Sequence, residues 1–172
     1  MTVVSILRRA RPLLAGSAIL IVLCAGTDVM HAAQRKPLPA FQLLAADGRA
    51  TTSQALSDDE QWLIVYVTSA CPACDRLLDA IAERQSPLAI PRAVVIVGGD
   101  PATLMPYIAG RRDAAPSMRF YADVQQQAAL VLGLSGAPAV VGIRRGQIEW
   151  AISGVLNDPA ALEPAITAWL TY

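Results

Sequence analysis

Histidine is almost missing from this chain: His31 is the only one in 172 residues. Cysteine is scarce as well, with Cys24, Cys71 and Cys74 alone. A zinc site normally draws four ligands, commonly thiolate or imidazole. Beyond residue 33 the chain offers two cysteines and no histidine. A metal there would need carboxylates or a second chain, so no metal or other cofactor is expected. An excess of positive charge is also lacking, with 14 Lys and Arg against 14 Asp and Glu. No basic stripe gathers phosphates, which argues against nucleic acid as a partner. Internal repeats and low-complexity tracts do not occur either.

Apolar residues, in contrast, make up 54% of the chain, ample for the core of one well-packed domain. Part of that share sits at the front. Arg8, Arg9 and Arg11 precede an uncharged run from Pro12 to Thr27. A basic n-region followed by an apolar h-region is the pattern of a secretory leader. The run is short of the roughly 20 apolar residues that span a bilayer, yet residues 12–27 suit an uncleaved membrane tether. Residues 1–33 are therefore expected to be a signal peptide or an N-terminal membrane anchor. Small residues flank Ala25 in Cys24-Ala25-Gly26, a candidate cleavage site; Leu23 sits where lipid attachment at Cys24 would want a small residue. Cys24 and His31 are read as leader residues without a role. Without residues 1–33 the chain keeps 11 basic and 13 acidic residues, a formal charge of −2.

Residues 34–39 are polar and proline-bearing, a linker in composition, and residues 40–172 are read as the folded domain. Strand-like and helix-like runs alternate along it. Phe41–Leu44 reads as a short strand ending at the turn dipeptide Asp47-Gly48. Trp62–Thr68 and Ala93–Gly99 are continuous β-branched and aromatic runs, as in strands covered on both faces. Between them, Leu77, Leu78, Ile81 and Ala82 share one face at helical spacing, with Asp75, Asp79 and Glu83 largely on another. Strand, helix and buried strand make a βαβ unit with parallel strands. Further helices are expected within 100–112 and 122–134, two strands over 139–144 and 147–152 around a turn at Arg145-Gly146, and a last helix over 158–172. Asp100-Pro101 and Asp158-Pro159 each supply an N-cap followed by proline. Pro106 and Pro164 follow five residues later, so those helices either begin late or kink. Trp62 and Tyr66 read as core packing, Trp150 and Trp169 as cover for a sheet edge and the last helix, and Arg144-Arg145 as a solvated turn.

Cys71 and Cys74 fall where the first buried strand gives way to a helix. A purely structural disulfide is a weak explanation, because a bridge across so few residues closes almost no loop, although export would favour disulfides. Thiol–disulfide exchange explains the placement better. At a helix N-terminus, unpaired N–H groups and the positive end of the helix dipole favour a thiolate. The thiolate is the attacking species, which makes Cys71 the nucleophile. Cys74, one turn deeper, is placed to resolve the mixed disulfide. Pro72 starts a helix at little cost and stiffens the turn.

Three segments carry a family resemblance. The stretch 41–56, FQLLAADGRATTSQAL, resembles an N-terminal hairpin; VYVTSACPACDRLL (65–78) a strand-CxxC-helix element; and GLSGAPAVVGIRRGQIEW (133–150) a late proline loop and strand pair. Together they resemble thioredoxin-fold proteins of the exported TlpA/ResA type over residues 38–172. The resemblance implies an α/β thioredoxin-like fold, a central mixed β-sheet flanked by helices. It implies a thiol:disulfide oxidoreductase with Cys71 and Cys74 as the catalytic pair and Pro72, Ala73, Ala137 and Pro138 at the substrate. It further implies a cis Ala137-Pro138 bond beside the cysteines, with the Ala137 backbone pairing to an extended substrate segment. The implied setting is the periplasm or its face of the inner membrane. The implied partners are cysteine-containing envelope proteins and a thiol-disulfide electron donor or acceptor. A copper-carrying relative would want a histidine facing the thiols, and the chain has none available.

Departures from the family pattern bear on direction. Ala70 replaces the tryptophan common before the first cysteine, and Ala137 the usual threonine or valine. Val65 and Leu77 stand where thioredoxin and ResA-type proteins carry acids that help deprotonate the inner cysteine. Slow resolution by Cys74 is then expected unless Asp75 or water serves as base, which favours oxidation or isomerisation over reduction. The string VTSACPACDRLL also resembles MauD-type proteins. Thr68-x-x-Cys71 fits the peroxiredoxin motif, but Ile64 stands where that motif needs proline. Two alternatives therefore stand beside the oxidoreductase: a binding or chaperone module whose cysteines are incidental, and, more remotely, a peroxidase.

Overall fold

Four strands without a single exposed position organise the molecule. The computed structural model describes residues 36–84, 92–116, 118–154 and 162–171. The proposed leader, with Cys24, His31 and the 12–27 tether, lies outside them, as do Asp158 and Pro159. The chain order is β1 (Lys36–Pro37), β2 (Gln42–Ala45), β3 (Ala50–Thr52), β4 (Gln61–Thr68), α1 (Pro72–Arg84), β5 (Ala93–Gly98), α2 (Pro101–Ala114), β6 (Arg119–Asp123), α3 (Gln127–Leu132), β7 (Ala139–Arg144), β8 (Gln147–Ser153) and α4 (Glu163–Thr171). The strands form one mixed sheet in the order β1-β8-β7-β4-β5-β6-β2-β3.

β4 lies near the middle, parallel to β5 and antiparallel to β7. Every β5 residue is buried, as is all of β4 except its last residue, because both sheet faces are covered. On one face Leu63, Val65 and Val67 meet Leu77, Leu78 and Ile81 of α1, with Leu104 and Ile108 of α2 and Ile166 and Leu170 of α4 in the same cluster. On the other, Trp62, Ile64 and Tyr66 meet Phe41, Leu43, Leu56 and Ala128. This is the expected thioredoxin-like architecture, a mixed sheet flanked by helices.

Several local expectations change. Lys36 and Pro37, read as linker, pair antiparallel with β8, and Leu38 N–H donates to the Gly146 carbonyl at 2.8 Å. A sheet edge tolerates Pro37 because its missing N–H can face away from the ladder. The sequence predicts a helix beginning at Ala122, whereas Ala122 and Asp123 end a strand, β6, parallel to β5. Only Gln127–Leu132 of that run is helical. α2 starts at Pro101, with Asp100 Oδ1 accepting from Ala102 N at 3.0 Å, and runs on through Pro106. Pro164 is the second residue of α4, where an N–H would have no partner within the helix. Among the described residues no helix is long and apolar enough to cross a membrane.

Candidate redox site

β4 ends at Thr68, and Ser69 and Ala70 turn the chain into Cys71, the residue just ahead of α1. That turn is tied down, since Ser69 Oγ lies 3.2 Å from Thr103 Oγ1 on the first turn of α2. Cys71 occupies the N-cap position. Its carbonyl accepts from Cys74 N at 2.9 Å and from Asp75 N at 3.2 Å, and its sulfur accepts from Cys74 N at 3.1 Å. A side-chain acceptor bonded to the third helical N–H is the usual N-cap contact, made here by sulfur instead of oxygen. A thiolate in that place would gain both the N–H and the helix dipole.

Cys71 and Cys74 are joined as a disulfide, with Cα atoms 5.2 Å apart. They differ sharply in access: Cys71 is half-buried, whereas Cys74 is 0% exposed within the cluster under α1. An incoming sulfur therefore reaches Cys71 and not Cys74. Pro72 is exposed and Ala73 half-buried, so both border the accessible sulfur.

The Ala137-Pro138 bond is cis. Tyr66, near the end of β4, pairs with Ala139, the residue after Pro138, and half-buried Cys71 and Ala137 both pack against the core cluster under α1. Pro138 is buried and Ala137 half-buried, so of the two it is Ala137 that a docking chain could touch.

Val65 and Leu77 are both buried to 1% exposure or less, and neither brings an acid to Cys74. Asp75 is already engaged. Its Oδ1 accepts from Tyr107 Oη at 2.7 Å and from Arg111 Nη2, while Arg111 Nη1 donates to Asp79 Oδ1 at 2.6 Å. Partial burial pushes the Asp75 carboxyl up, but the bonds from Arg111 and Tyr107 outweigh it and hold the group below its ordinary value. Burial, added to by the Asp75 bond, pushes the Tyr107 hydroxyl up to about 12. Asp75 is thus a bound anion, poorly suited to take a proton from Cys74.

A buried acid that the sequence reading passed over is Asp123, 1% exposed at the end of β6. Its Oδ2 accepts from Ala128 N at 3.0 Å and Ala129 N at 3.3 Å, capping α3 from outside the helix. Burial pushes its carboxyl above the ordinary value, against the lowering effect of those N–H groups and the Tyr66 hydroxyl. Tyr66 lies across Gly98, where a Cβ would overlap its ring, and burial near Asp123 raises its hydroxyl well above normal. Tyr66 and Asp123 belong to the sheet face opposite α1, so the sheet separates them from Cys74. Among the described residues no three His, Cys, Asp or Glu side chains converge as metal ligands would. A cavity of about 470 Å³ lies at the far end of β4 from Cys71, lined by Arg92, Arg144, Arg145, Asp59, Glu60 and Glu149 among others. Its mixed charges favour no ligand of one sign.

No protein-family model and no curated protein matches the chain. Solved structures do match in fold. A thio-disulfide isomerase from Thermus thermophilus is 21% identical at a TM-score of 0.59, covering 78% of this chain and 95% of its own. A secreted disulfide oxidoreductase of Mycobacterium tuberculosis, described as homologous to E. coli DsbE, is 14% identical at 0.59, covering 74% and 95%. The peroxidoxin BcpB of the same organism is 17% identical at 0.62, covering 80% and 95%. The chain therefore has a thioredoxin-like fold carrying a cysteine pair at CxxC spacing.

Proposed function

We propose that this protein is a thiol:disulfide oxidoreductase that exchanges disulfides with cysteine-containing proteins of the cell envelope. One observation carries the reading: the accessible sulfur of the pair sits at the N-cap of α1 and accepts a backbone N–H, while its partner is fully buried. A fold shared with a secreted disulfide oxidoreductase and a thio-disulfide isomerase supports it. The leader-like residues 1–33 support an exported protein, periplasmic or tethered to the inner membrane.

The exchange runs through one intermediate. A client thiolate attacks the Cys71 sulfur, the Cys71–Cys74 bond breaks, and Cys74 leaves as the thiolate. A second client thiolate then attacks the client sulfur of the mixed disulfide and releases Cys71. The client loses two electrons and two protons, and the dithiol gains them. In the reverse direction the Cys71 thiolate attacks a client disulfide and Cys74 resolves it. Ala137, with Pro72 and Ala73, would border the extended client segment, while buried Pro138 shapes the loop from beneath. With Asp75 bound by α2 and no acid at Val65 or Leu77, deprotonation of Cys74 is unassisted, which favours oxidation or isomerisation.

Replacing Cys74 by serine tests the reading. Cys74→Ser should accumulate mixed disulfides between Cys71 and natural partners, separable on a non-reducing gel, and Cys71→Ala should accumulate none. If Cys71→Ala supports the same cellular function as the wild type, a binding module with incidental cysteines takes its place. Consumption of hydroperoxide by the reduced protein at the rate of disulfide exchange would instead favour the peroxidase that the BcpB likeness keeps in view.

A further inference from the structure

Asp75 and Cys71 are four positions apart across the start of α1, linked by the Asp75 N–H to Cys71 carbonyl bond. Residues so spaced on a helix have Cβ atoms roughly 5–6 Å apart. Both are anions, or become one during exchange, and both draw on the same positive helix end. An unpaired carboxylate there would oppose the thiolate on which the exchange depends.

Two donors from α2 converge on that carboxylate. Tyr107 and Arg111, themselves one helical turn apart, both donate to the single oxygen Asp75 Oδ1. Arg111 lies 5.8 Å from the Tyr107 ring centroid, and its side chain is only 17% exposed, so it is held in place beside a carboxylate that itself keeps 42% exposure. A strut between α1 and α2 would need only the Arg111–Asp79 pair farther along α1. The second donor instead meets the acid nearer the sulfur. From α2 the groups facing Asp75 are Tyr107 and Arg111; along α1, Asp79 shares Arg111.

We infer that Tyr107 and Arg111 are positioning residues for thiol–disulfide exchange, holding the Asp75 charge on α2 so that the Cys71 thiolate forms without a free anion beside it. The inference rests on the exchange reading above and extends it to a residue pair outside the CxxC segment.

The test uses the reduced full chain, with Cys71 titrated by ultraviolet thiolate absorbance and the dithiol equilibrated with glutathione. Oxidised glutathione takes two electrons and two protons from the dithiol to give two glutathione thiols and the protein disulfide. Arg111→Met should raise the Cys71 thiol pKa by about one unit, the lower end of the effect of a nearby charge, and make the couple more reducing. Tyr107→Phe should move both in the same direction by less, and it keeps the Arg111 pairs if Arg111→Met does not fold. Adding Asp75→Asn to Arg111→Met should return both quantities close to wild type. A folded Arg111→Met or Tyr107→Phe protein with unchanged titration and potential overturns the inference. So does a double variant shifted as far as Arg111→Met, because the effect would then not pass through Asp75. A wild type that neither forms a Cys71 thiolate near neutral pH nor exchanges with glutathione overturns the exchange reading itself; unshifted variants of an exchanging wild type overturn only the inference.

Discussion

Cys71 and Cys74 are chemically identical and physically opposite, one half-buried at a helix end and one with no exposed surface. The difference follows from one turn of helix, and it predicts unequal reactivity. In the reduced protein at neutral pH, a small alkylating reagent should modify Cys71 at least about tenfold faster than Cys74, read by peptide mass after a brief pulse, because thiolate fraction and access both favour it. Equal rates would remove the assignment of Cys71 as the attacking sulfur.

Two acids predict opposite pH responses. Asp75 has a lowered folded pKa, so the stability it contributes is present above its ordinary value of 3.8 and is lost as pH falls through the folded value. Asp123 has a raised folded pKa, so the native state holds its proton more tightly and stability falls as pH rises from about 3.8 through the folded value. Asp123→Asn keeps an oxygen for Ala128 and Ala129 N–H and removes the buried charge. It should be at least as stable as wild type at pH 7 in urea unfolding, with a flatter pH profile above pH 4. Asp123→Ala loses the cap as well and should cost about 1–2 kcal/mol. Loss of stability in Asp123→Asn as large as in Asp123→Ala would mean that the charge itself is needed.

The elements were legible in proportion to how far burial dictated their composition. β4 and β5 are buried on both faces, so apolar runs fill them, and the expected bounds, 62–68 and 93–99, each differ from the observed ones by one residue at one end. α1 carries its apolar residues in one stripe, and Leu77, Leu78 and Ile81 are buried as that stripe predicts. β6 escaped notice for the converse reason: RFYAD places arginine and aspartate at its two ends, and the helix-forming ADVQQQAAL overlaps it. Nothing in Lys36-Pro37 marks β1, which only its pairing with β8 defines. The Tyr107–Arg111 pair was in principle readable, since its helical spacing matches that of Asp75 and Asp79. The sequence does not say, however, which helices lie side by side.

Aromatics read as packing prove to hold the elements near α4 together. Trp150 and Trp169 meet edge to face at 5.5 Å, Trp169 Nε1 donates to the Trp62 carbonyl at 3.1 Å, and Arg144 stacks over the Trp169 ring at 4.8 Å. Arg145 pairs with Glu60, so the arginine turn is anchored at one side rather than merely solvated. Gly142 leaves room for the Trp150 indole, which a Cβ would overlap. Gly142→Ala should therefore destabilise by about 1–3 kcal/mol, as overpacking does, with a matching drop in Tm. An unchanged Tm would show that the indole can move aside freely.

At the scale of the whole molecule, the central sheet carries two separate tasks on its two faces. The α1 face holds the cysteine pair with α2 and α4 packed around it, and the opposite face holds the buried Tyr66–Asp123 corner and the cap of α3. Mutations on the second face should change stability while leaving exchange rates of the folded protein within about twofold, since sites this independent act additively. The thioredoxin-like fold was legible from CxxC after a buried strand together with a downstream proline before a strand pair. The edge strands were not, because an edge needs few apolar residues.

The central claim is that Cys71 and Cys74 form a reversible two-electron couple open to other sulfurs. It is tested most directly by equilibrating the protein across a series of glutathione redox buffers and counting its free thiols by mass after alkylation. The account predicts a smooth passage between dithiol and intramolecular disulfide, following the two-electron relation of about 30 mV per tenfold change, and its abolition in Cys71→Ala. A pair that stays in one state across the whole series, or exchanges equally well without Cys71, would contradict it.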